Sequence, residues 1–433
     1  MDGVRRFLVS PRSHHDTRNN YLIGVRGFFV VQSFLFVFLQ VFAPSAVAHT
    51  PNALQGHSST LHKALKFVSI LFWNDGVIYS GFILLSARTI CLPFMTSGAG
   101  SKSCIAGSVF RRGLSLWFPV AIALAISTGL FHAFGHDYLD SFTQETGNLS
   151  IFVPYKIDNA LIYFNSVFNL FWVTTKFSDQ AGSYAFPGQM MWVINVIYQQ
   201  SFTVYMTMVI VPYTRRSWRV KGALFFIITA WWVQSWAWYS ITGLFLADLA
   251  VNMDFKTKAQ RGIKIYRLIY LPSYVVYTLI FAAGVIMQYL WAAWRPEYRN
   301  HEIVAHGGLY YTGGLNEDFD VKQPQARDDN YLVLLGYFLF IETSDILQWA
   351  LANPLFVYLG QRSLSYFLVQ SLVIYTLGIK LYQMLHLPSN ILEVTICFFT
   401  TLATSALGAE IFYRVVEVPS QVLSHVAFDW IRE

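Results

Sequence analysis

The chain has 433 residues, of which 55% are hydrophobic and only 12% are charged. Soluble globular domains carry about 25% charged residues, so this composition excludes an ordinary soluble enzyme and predicts an all-α bundle in a membrane. The net charge of +6 does not predict nucleic-acid binding, because the basic residues lie in short clusters between long apolar segments.

Apolar segments long enough to cross a bilayer recur along the whole chain. They cover residues 21–44, 67–87, 114–134, 188–212, 264–292, 330–350, 363–384 and 391–413. The first of them is too long for the apolar core of a signal peptide, so it is interpreted as a retained span. Residues 222–253 are either one long helix or two short helices with a turn near Tyr239.

The positions of Lys and Arg favour two helices in residues 222–253. With two helices the chain has ten spans, and 20 basic residues lie on the side of the N-terminus against 9 on the opposite side. A single helix would translocate the five basic residues between 256 and 267, against the positive-inside rule. We therefore predict one ten-helix membrane domain over residues 21–418, with cytoplasmic segments 1–20 and 419–433, in the endoplasmic reticulum.

Two long segments between the spans are predicted to lie in the lumen. Residues 135–187 contain a glycosylation sequon at Asn148 and an apolar pattern at 155–175 that predicts an interfacial helix or a re-entrant segment. Residues 295–329 have no apolar period and are interpreted as a solvated loop or lid with acidic surface charges. Those acids are Glu317, Asp318, Asp320, Asp328 and Asp329.

Five short motifs, in order along the chain, resemble those of the acyltransferase-3 family of ten-span membrane enzymes. They are Gly-Val-Arg-Gly at 24–27, Val-Ile-Tyr-Ser-Gly-Phe at 77–82, Trp-Val-Ile-Asn-Val-Ile-Tyr at 192–198, Leu-Gly through Ser-Tyr-Phe-Leu at 359–368, and Tyr-Arg-Val-Val-Glu-Val-Pro at 413–419. The resemblance implies an acyltransferase-3-like arrangement of about ten helices.

The groups that would transfer protons in that family are missing. Its first motif has an Asp where this chain has Ile23, and its catalytic His would stand near Phe36 and Val37. A Glu of the middle motif corresponds to Ile197, and a later His corresponds to Gln370. Acyl transfer to a hydroxyl needs a general base, so the acyltransferase interpretation loses its mechanism.

A scaffold of this kind without the acyl-transfer groups is similar to the membrane-bound terpene cyclases of fungal meroterpenoid pathways of the ascochlorin and ascofuranone type. These share the Gly-x-Arg-Gly-Phe-Phe-Val-like entry into the first span, present here at residues 24–30. The resemblance implies acid-initiated cyclisation of an epoxidised prenyl chain on an aromatic head group, without a cofactor. It also implies a lipophilic prenylated aromatic substrate and, as a pathway partner, an upstream membrane-bound epoxidase.

Two other functions stay open from the sequence. One is an acyltransferase-3 enzyme that uses an unrecognised base, and the other is a transporter of lipids or small molecules. The absence of an internal repeat weighs against the transporter.

Such a cyclisation needs a proton donor, an apolar pocket and aromatic faces that stabilise cationic carbon. Ionisable groups at membrane depth are functional candidates, and the acids there are Asp75, Asp248, Glu342, Asp345, Glu393 and Glu410. We predict the proton donor among the first four, with Asp75 and Asp248 ahead. Alternatively, Asp75 pairs with Arg26, and Asp248 is a helix-end carboxylate beside the basic loop.

Glu342 and Asp345 are three residues apart, which predicts that they face the same side of one helix and share a proton or bond another helix. Six residues are candidates for substrate binding: Arg26, Trp73, Trp192, Tyr198, Trp236 and Trp238. No metal site is predicted, because His132 and His136 alone make a weak site and the three cysteines, Cys91, Cys104 and Cys397, have no zinc-site spacing.

Overall fold

The computed structural model describes residues 19–47, 60–96, 102–174, 176–266, 269–303, 323–385 and 390–432. The protein is an all-α polytopic membrane protein, and 85% of the structure is helical. In chain order, the helices are α1 (Asn20–Phe42), α2 (Thr60–Phe72), α3 (Asp75–Ile90), α4 (Leu92–Thr96), α5 (Lys102–Phe134), α6 (Asp137–Thr146), α7 (Ala160–Trp172), α8 (Ala181–Tyr184), α9 (Trp192–Ile210), α10 (Arg216–Trp232), α11 (Ala237–Asn252), α12 (Phe255–Arg261), α13 (Ser273–Tyr289), α14 (Asp328–Thr343), α15 (Asp345–Leu351), α16 (Pro354–Gln361), α17 (Ser363–Val373), α18 (Ile379–Met384), α19 (Asn390–Phe412) and α20 (Val418–Arg432).

Seven helical segments in the described ranges are long and apolar enough to cross a membrane, or eight if the bent pair α14 and α15 counts as one span. The seven are Asn20–Phe42, Ala64–Thr96, Cys104–Phe134, Pro187–Tyr213, Ser273–Ala292, Ser363–Met384 and Ile391–Arg432. Helices α10 and α11 have 17 and 16 residues, fewer than the roughly 20 that a single crossing needs. Ten spans therefore stay a prediction.

The prediction of two helices in residues 222–253 is confirmed. Helix α10 ends at Trp232 and α11 begins at Ala237, and the two helices pack against each other. The turn between them contains Gln234 in the left-handed region, with φ of 54°. The predicted position of the turn was wrong, since Tyr239 lies inside α11.

The predicted span at 264–292 begins later than the apolar pattern indicated. Its first residues form an antiparallel hairpin of β1 (Ile263–Tyr266) and β2 (Ile269–Leu271), and α13 follows Pro272. Alternating β-branched and aromatic residues favour strands, and a proline is well placed just before a helix. The apolar period alone could not separate these strands from the helix.

The predicted span at 330–350 is broken. Ser344 has extended backbone, and its hydroxyl accepts a hydrogen bond from the backbone N–H of Leu347 as the N-cap of α15. Helices α14 and α15 meet at an angle of 99°. Glu342 and Asp345 therefore belong to different helices, and the prediction that they face one side of one helix was wrong.

The segments predicted as loops are partly helical. The helix predicted near 155–175 is α7, which begins after Asn159, whose side chain accepts a hydrogen bond from the N–H of Ile162 at 2.8 Å. Helix α19 continues through a π-turn, Tyr413–Glu417, into α20, so the segment predicted as a C-terminal tail is helical up to Arg432. Residues 1–18 and 304–322 lie outside the described residues, and with them the acids Glu317, Asp318 and Asp320.

The chain divides into two compact units. The first comprises Met1–Asn74, Phe110–Asn195 and Pro354–Glu433, and the second comprises Asp75–Val109 and Val196–Asn353. In the first unit α1 packs against α16 at two glycines. A β-carbon on Gly27 would lie 1.9 Å from the carbonyl oxygen of Phe356, and one on Gly360 would lie 1.8 Å from that of Ile23. Both glycines belong to motifs found in the sequence, which therefore mark a close helix contact.

The second unit packs α13 on α14 and α3 on α11, also through glycines. A β-carbon on Gly284 would lie 2.6 Å from the backbone nitrogen of Val333, and one on Gly243 would lie 2.5 Å from the carbonyl oxygen of Leu84. These close contacts hold the first turn of α14 beside α13. The candidate site is built around this turn.

Candidate functional site

Two of the four predicted proton donors are buried in ion pairs of the second unit. Asp248 accepts hydrogen bonds from Arg219 Nη1 at 3.2 Å and from Asn252 Nδ2 at 2.6 Å. Glu342 accepts one from Arg88 Nε at 2.8 Å, and both of these side chains are almost completely buried. Each carboxylate is thus held by an arginine, and breaking such a buried pair would leave a charge without its partner. This geometry favours structural roles for Asp248 and Glu342.

Asp345 is exposed rather than buried inside a helix bundle. Its side chain is 73% exposed and pairs with Lys256, and Gln260 Nε2 donates to it at 3.3 Å. A solvated carboxylate without apolar or aromatic walls offers no pocket for a prenyl chain. Asp345 is therefore a surface ion-pair partner.

Asp75 differs from the other three acids, because no salt bridge within the described residues involves it. It lies in the first turn of α3, and its Oδ1 atom is buried without a hydrogen-bond partner among those residues. Its charge acts on Arg299, and the neighbouring Gly76 abuts the side chain of Asn330. Asp75 is thereby placed beside the first turn of α14.

A cluster of acids and bases forms at this turn; we call Arg299, Glu302, Arg327, Asp328 and Asp329 the charged cluster. Arg327 Nη2 donates to Glu302 at 3.0 Å, and Arg327 Nε donates to Asp329 at 3.3 Å. The backbone N–H of Asp328 donates to Glu302 at 2.8 Å. Asp329 is only 3% exposed, so the interpretation of these acids as solvated surface charges was wrong for Asp329.

Burial shifts the pKa of two members of the charged cluster, Glu302 and Arg299. Burial, together with the negative charge of Asp329, raises the pKa of Glu302 to about 7. Burial also lowers the pKa of Arg299. Glu302 can therefore hold a proton near neutral pH.

An apolar pocket of about 410 Å³ lies next to the charged cluster; we call it the aromatic pocket. Its walls are Ile227, Ile228, Trp231, Trp238, Met287, Asp328, Tyr331 and Leu332. Asp328 is the acid in this wall, and its Oδ1 accepts a hydrogen bond from Trp231 Nε1 at 2.7 Å. Pockets of about 300–1,000 Å³ with apolar walls and a few polar groups are typical ligand sites.

The rings of the aromatic pocket are fixed by their neighbours. Trp238 stacks on Tyr331 with ring centroids 4.2 Å apart, and the hydroxyl of Tyr331 is hydrogen-bonded to Thr242 at 2.8 Å. The hydroxyl of Tyr239 donates to the carbonyl oxygen of Arg327 at 2.6 Å and so ties α11 to the charged cluster. Trp238 Nε1 is buried and has no acceptor among the described residues.

Of the six residues predicted to bind substrate, Trp238 lines the aromatic pocket. In the same unit Trp236 packs on Tyr239, and Tyr198 packs edge-on against Phe202 with ring centroids 5.1 Å apart. The remaining three, Trp73, Arg26 and Trp192, belong to the first unit. Trp73 Nε1 donates a hydrogen bond to the carbonyl oxygen of Ala46, and the negative charge of Glu417 acts on Arg26. Trp192 is half-buried.

The predicted glycosylation site at Asn148 does not fit the fold. Asn148 is 1% exposed, and its Nδ2 atom donates to the carbonyl oxygens of Gln40 and Val41, both at 2.9 Å. The same nitrogen would carry the glycan, which would replace one of its two hydrogens and so break one of these bonds, and a glycan does not fit at a side chain that is 1% exposed. Asn148 is therefore a structural residue of the first unit.

The position where the catalytic His of the acyltransferase-3 family would stand, near Phe36 and Val37, is apolar in the structure. Phe36 and Val37 are buried, and Gln370 Nε2 donates to the hydroxyl of Ser33 at 2.6 Å. A side-chain amide and a hydroxyl do not serve as a general base at neutral pH. The first unit thus packs this region without an acid–base residue.

Sequence reasoning missed Glu302, Arg327, Trp231 and the role of Asp328. One signal was available, since Asp328 and Asp329 directly precede the apolar segment that forms α14, and acids are common in the first turn of a helix. Among the described residues no three His, Cys, Asp or Glu side chains are placed to hold a metal ion. Comparison of the chain with protein-family models, curated proteins and solved structures gives no match.

Proposed function

We propose that this protein is an integral membrane terpene cyclase, which opens an epoxide on the prenyl chain of an aromatic substrate and closes one or more rings. One observation carries the proposal: Asp328 shares an apolar pocket with the rings of Trp231, Trp238 and Tyr331. An acid beside aromatic faces is the arrangement that such a reaction needs.

The reaction is balanced without a cofactor. The carboxyl of Asp328 donates its proton to the epoxide oxygen, and a carbon–oxygen bond breaks to leave a hydroxyl and a cationic carbon. A double bond of the prenyl chain attacks this carbon, and loss of a proton from the last cation ends the sequence. The product is an isomer of the substrate, and the released proton restores the acid.

The charged cluster supplies the proton in this proposal. The carboxylate of Glu302 accepts a hydrogen bond from the backbone N–H of Asp328, and the pKa of Glu302 is raised to about 7. Asp328 is the member of the cluster that lines the pocket, so we assign the transfer of the proton to the substrate to its carboxyl. The walls of Trp238 and Tyr331 then face the cationic carbon, and cation–π attraction is stronger where water is excluded.

The aromatic pocket also fits the physical nature of the substrate. Ile228, in its wall, is 57% exposed on the outer face of α10, so a lipophilic chain can enter from the bilayer. We place the protein as a multi-pass protein of the endoplasmic reticulum with both termini cytoplasmic, which follows from the distribution of basic residues. A membrane-bound epoxidase would release its product into the same bilayer.

The acyltransferase alternative is less well supported. Phe36, Val37 and Gln370 occupy the positions of its missing acid–base groups, and they are buried among apolar and neutral polar side chains. The transporter alternative has no supporting feature beyond the number of apolar helices.

The decisive experiment offers microsomes containing the protein either an epoxyfarnesyl phenol or an acyl-CoA with a hydroxylated acceptor. We expect the epoxide to be converted to a product of identical mass, detected by chromatography and mass spectrometry, and the acyl-CoA to remain unchanged. Microsomes with the Asp328→Asn variant, at matched protein abundance, are the control for background epoxide opening. Release of free CoA without any epoxide isomer would overturn the proposal.

A further inference from the structure

A second pocket in the same unit lies between α9, α10 and α11; we call it the basic pocket. Its volume is about 200 Å³, and its walls are mostly apolar, including Ala223, Phe226 and Leu244. Two charged side chains, Arg219 and Asp248, complete the wall. It shares no lining residue with the aromatic pocket.

Arg219 is only partly used by the protein. Its Nε donates to the carbonyl oxygen of Thr214 at 3.0 Å, and its Nη1 donates to Asp248 at 3.2 Å. A guanidinium has five N–H donors, and the described residues provide no acceptor for Nη2. The remaining donors suit a bidentate oxyanion such as a phosphate.

The surroundings of the basic pocket carry excess positive charge. Arg215, Arg216 and Lys221 are exposed within six residues of Arg219, whereas the acid that lines the pocket, Asp248, is already paired with Arg219. The start of α10 thus carries four basic residues against the one acid in the pocket wall, so an anion bound there meets net positive charge. The site is therefore complementary to a negatively charged ligand.

The aromatic residues at this end of α10 indicate the depth of the site. Tyr213 and Trp218 are strongly exposed, and Lys221 Nζ lies 5.1 Å from the ring centroid of Trp218. Exposed Tyr and Trp beside Lys and Arg are typical of the level of lipid head groups. Below this level the pocket wall becomes apolar at Phe226 and Leu244.

We infer that the basic pocket binds an anionic phospholipid, with its phosphate at Arg219 and an acyl chain along Phe226 and Leu244. A free phosphate would leave the apolar wall uncovered, and a neutral lipid would leave the excess positive charge uncompensated. Basic pockets between membrane helices bind anionic head groups by this combination of charge and apolar surface. The inference does not depend on the proposed cyclase activity.

The test measures lipid retention by the purified full-length protein with native mass spectrometry. Protein is exchanged into phosphatidylcholine alone or into an equal mixture with phosphatidylserine, and the retained lipid is identified. One variant, Arg219→Gln combined with Asp248→Asn, removes both charges so that neither is left unpaired. A second, Ala223→Phe, fills the pocket without changing charge, and Lys256→Gln removes a positive charge outside it.

We expect the wild type to retain one phosphatidylserine in preference to phosphatidylcholine. The double variant and Ala223→Phe should each lower this retention about five- to tenfold, because one loses a basic contact and the other loses the apolar wall. The control Lys256→Gln should retain lipid as the wild type does. Equal retention of both lipids, or an equal loss in Lys256→Gln, would overturn the inference. So would displacement of the lipid by millimolar inorganic phosphate, or normal retention by Ala223→Phe.

Discussion

The aromatic pocket and the basic pocket each place one aspartate against an apolar wall, but with different partners. In the aromatic pocket Asp328 accepts a hydrogen bond from the indole N–H of Trp231. In the basic pocket Asp248 is bound by the guanidinium of Arg219 and the amide of Asn252. The partner of Asp328 is thus a neutral indole N–H, whereas that of Asp248 is a cationic guanidinium.

This difference separates the two functions that we propose for the second unit. Asp328 lies between the charged cluster and a set of rings, which is the basis for proposing it as the proton donor to an apolar substrate. Asp248 neutralises one arginine in a strongly basic region, so it positions that arginine. The sequence alone placed Asp248 among the candidate proton donors and Asp328 among the acids of a solvated loop, because partners distant in sequence were not visible.

The largest expected effect is the loss of turnover when Asp328, the acid of the aromatic pocket, is replaced. Asp328→Asn keeps the size of the side chain but cannot donate a proton, so turnover of an epoxyfarnesyl phenol per folded molecule should fall about 10²- to 10⁴-fold. Product formation in microsomes, normalised to the folded fraction from size-exclusion chromatography, measures this. Asp345→Asn, which changes an exposed acid, should leave turnover unchanged.

Asp75→Asn is the variant that can break this assignment. Asp75 lies beside the same turn of α14 and has a buried oxygen without a partner among the described residues. If Asp75→Asn abolishes turnover while Asp328→Asn retains it, the donor is Asp75, and the contrast between the two pockets does not explain catalysis.

The second effect concerns stability at the basic pocket. Asp248→Asn leaves Arg219 without its counter-charge, so the free energy of unfolding should fall by about 1–3 kcal/mol, the usual penalty for a partly buried group that loses its partner. Turnover per folded molecule should stay within about twofold of the wild type. Thermal unfolding in detergent and the microsomal assay measure the two quantities. A loss of turnover as large as that of Asp328→Asn would remove the distinction between the aspartates.

The third effect is a pH dependence that originates in Glu302. Its pKa is raised from 4.5 to about 7 in the folded protein, so the folded state binds the proton more tightly than the unfolded state. The stabilisation is complete below the unfolded pKa and is lost as the pH rises from about 4.5 through about 7. Glu302→Gln should flatten this part of the profile.

Thermal unfolding of the wild type and of Glu302→Gln between about pH 5 and pH 8 tests this expectation. Turnover by the wild type should also fall as the pH rises through about 7, since the charged cluster then loses its proton. Parallel stability profiles for the two proteins would show that Glu302 is not the titrating group. The charged cluster would then not be the proton source.

The smallest effect is on substrate affinity. Trp238→Phe keeps a ring against Tyr331 but removes the buried N–H that has no acceptor among the described residues. The smaller ring also covers less of the apolar pocket wall, and a loss of about 1 kcal/mol of apolar contact should raise KM about fivefold with little change in kcat. Trp236→Phe, on a tryptophan that packs against Tyr239 outside the pocket wall, is the matched control. An equal change in KM for both variants would show that Trp238 does not contact the substrate.

The helical membrane character of the chain follows directly from its sequence. Long apolar segments must form helices in a bilayer, because every backbone N–H and C=O needs a partner within the segment. The split of residues 222–253 was also predictable, since basic residues resist translocation. The glycines at 27 and 360 fell within motifs, and the structure gives the reason in the backbone contact of α1 and α16.

The errors have a common physical origin. The break at Ser344 depends on a local N-cap that competes with continuation of α14, and apolar patterning does not report it. The hairpin of β1 and β2 depends on pairing between two strands, which the apolar period of one segment does not report. Burial of Asp329 and Asn148 depends on neighbours distant in sequence, so their polar character suggested surface positions.

The sequence by itself determined that the protein folds in a membrane, that it is helical and that acids lie among its apolar residues. These properties depend on composition and on short-range spacing. Only the tertiary structure decided which acid meets a ring and which meets an arginine. Trp231 lies 97 residues before Asp328, and Arg88 lies 254 residues before Glu342. The protonation and the role of a carboxyl group are set by such partners, and partners are chosen by packing.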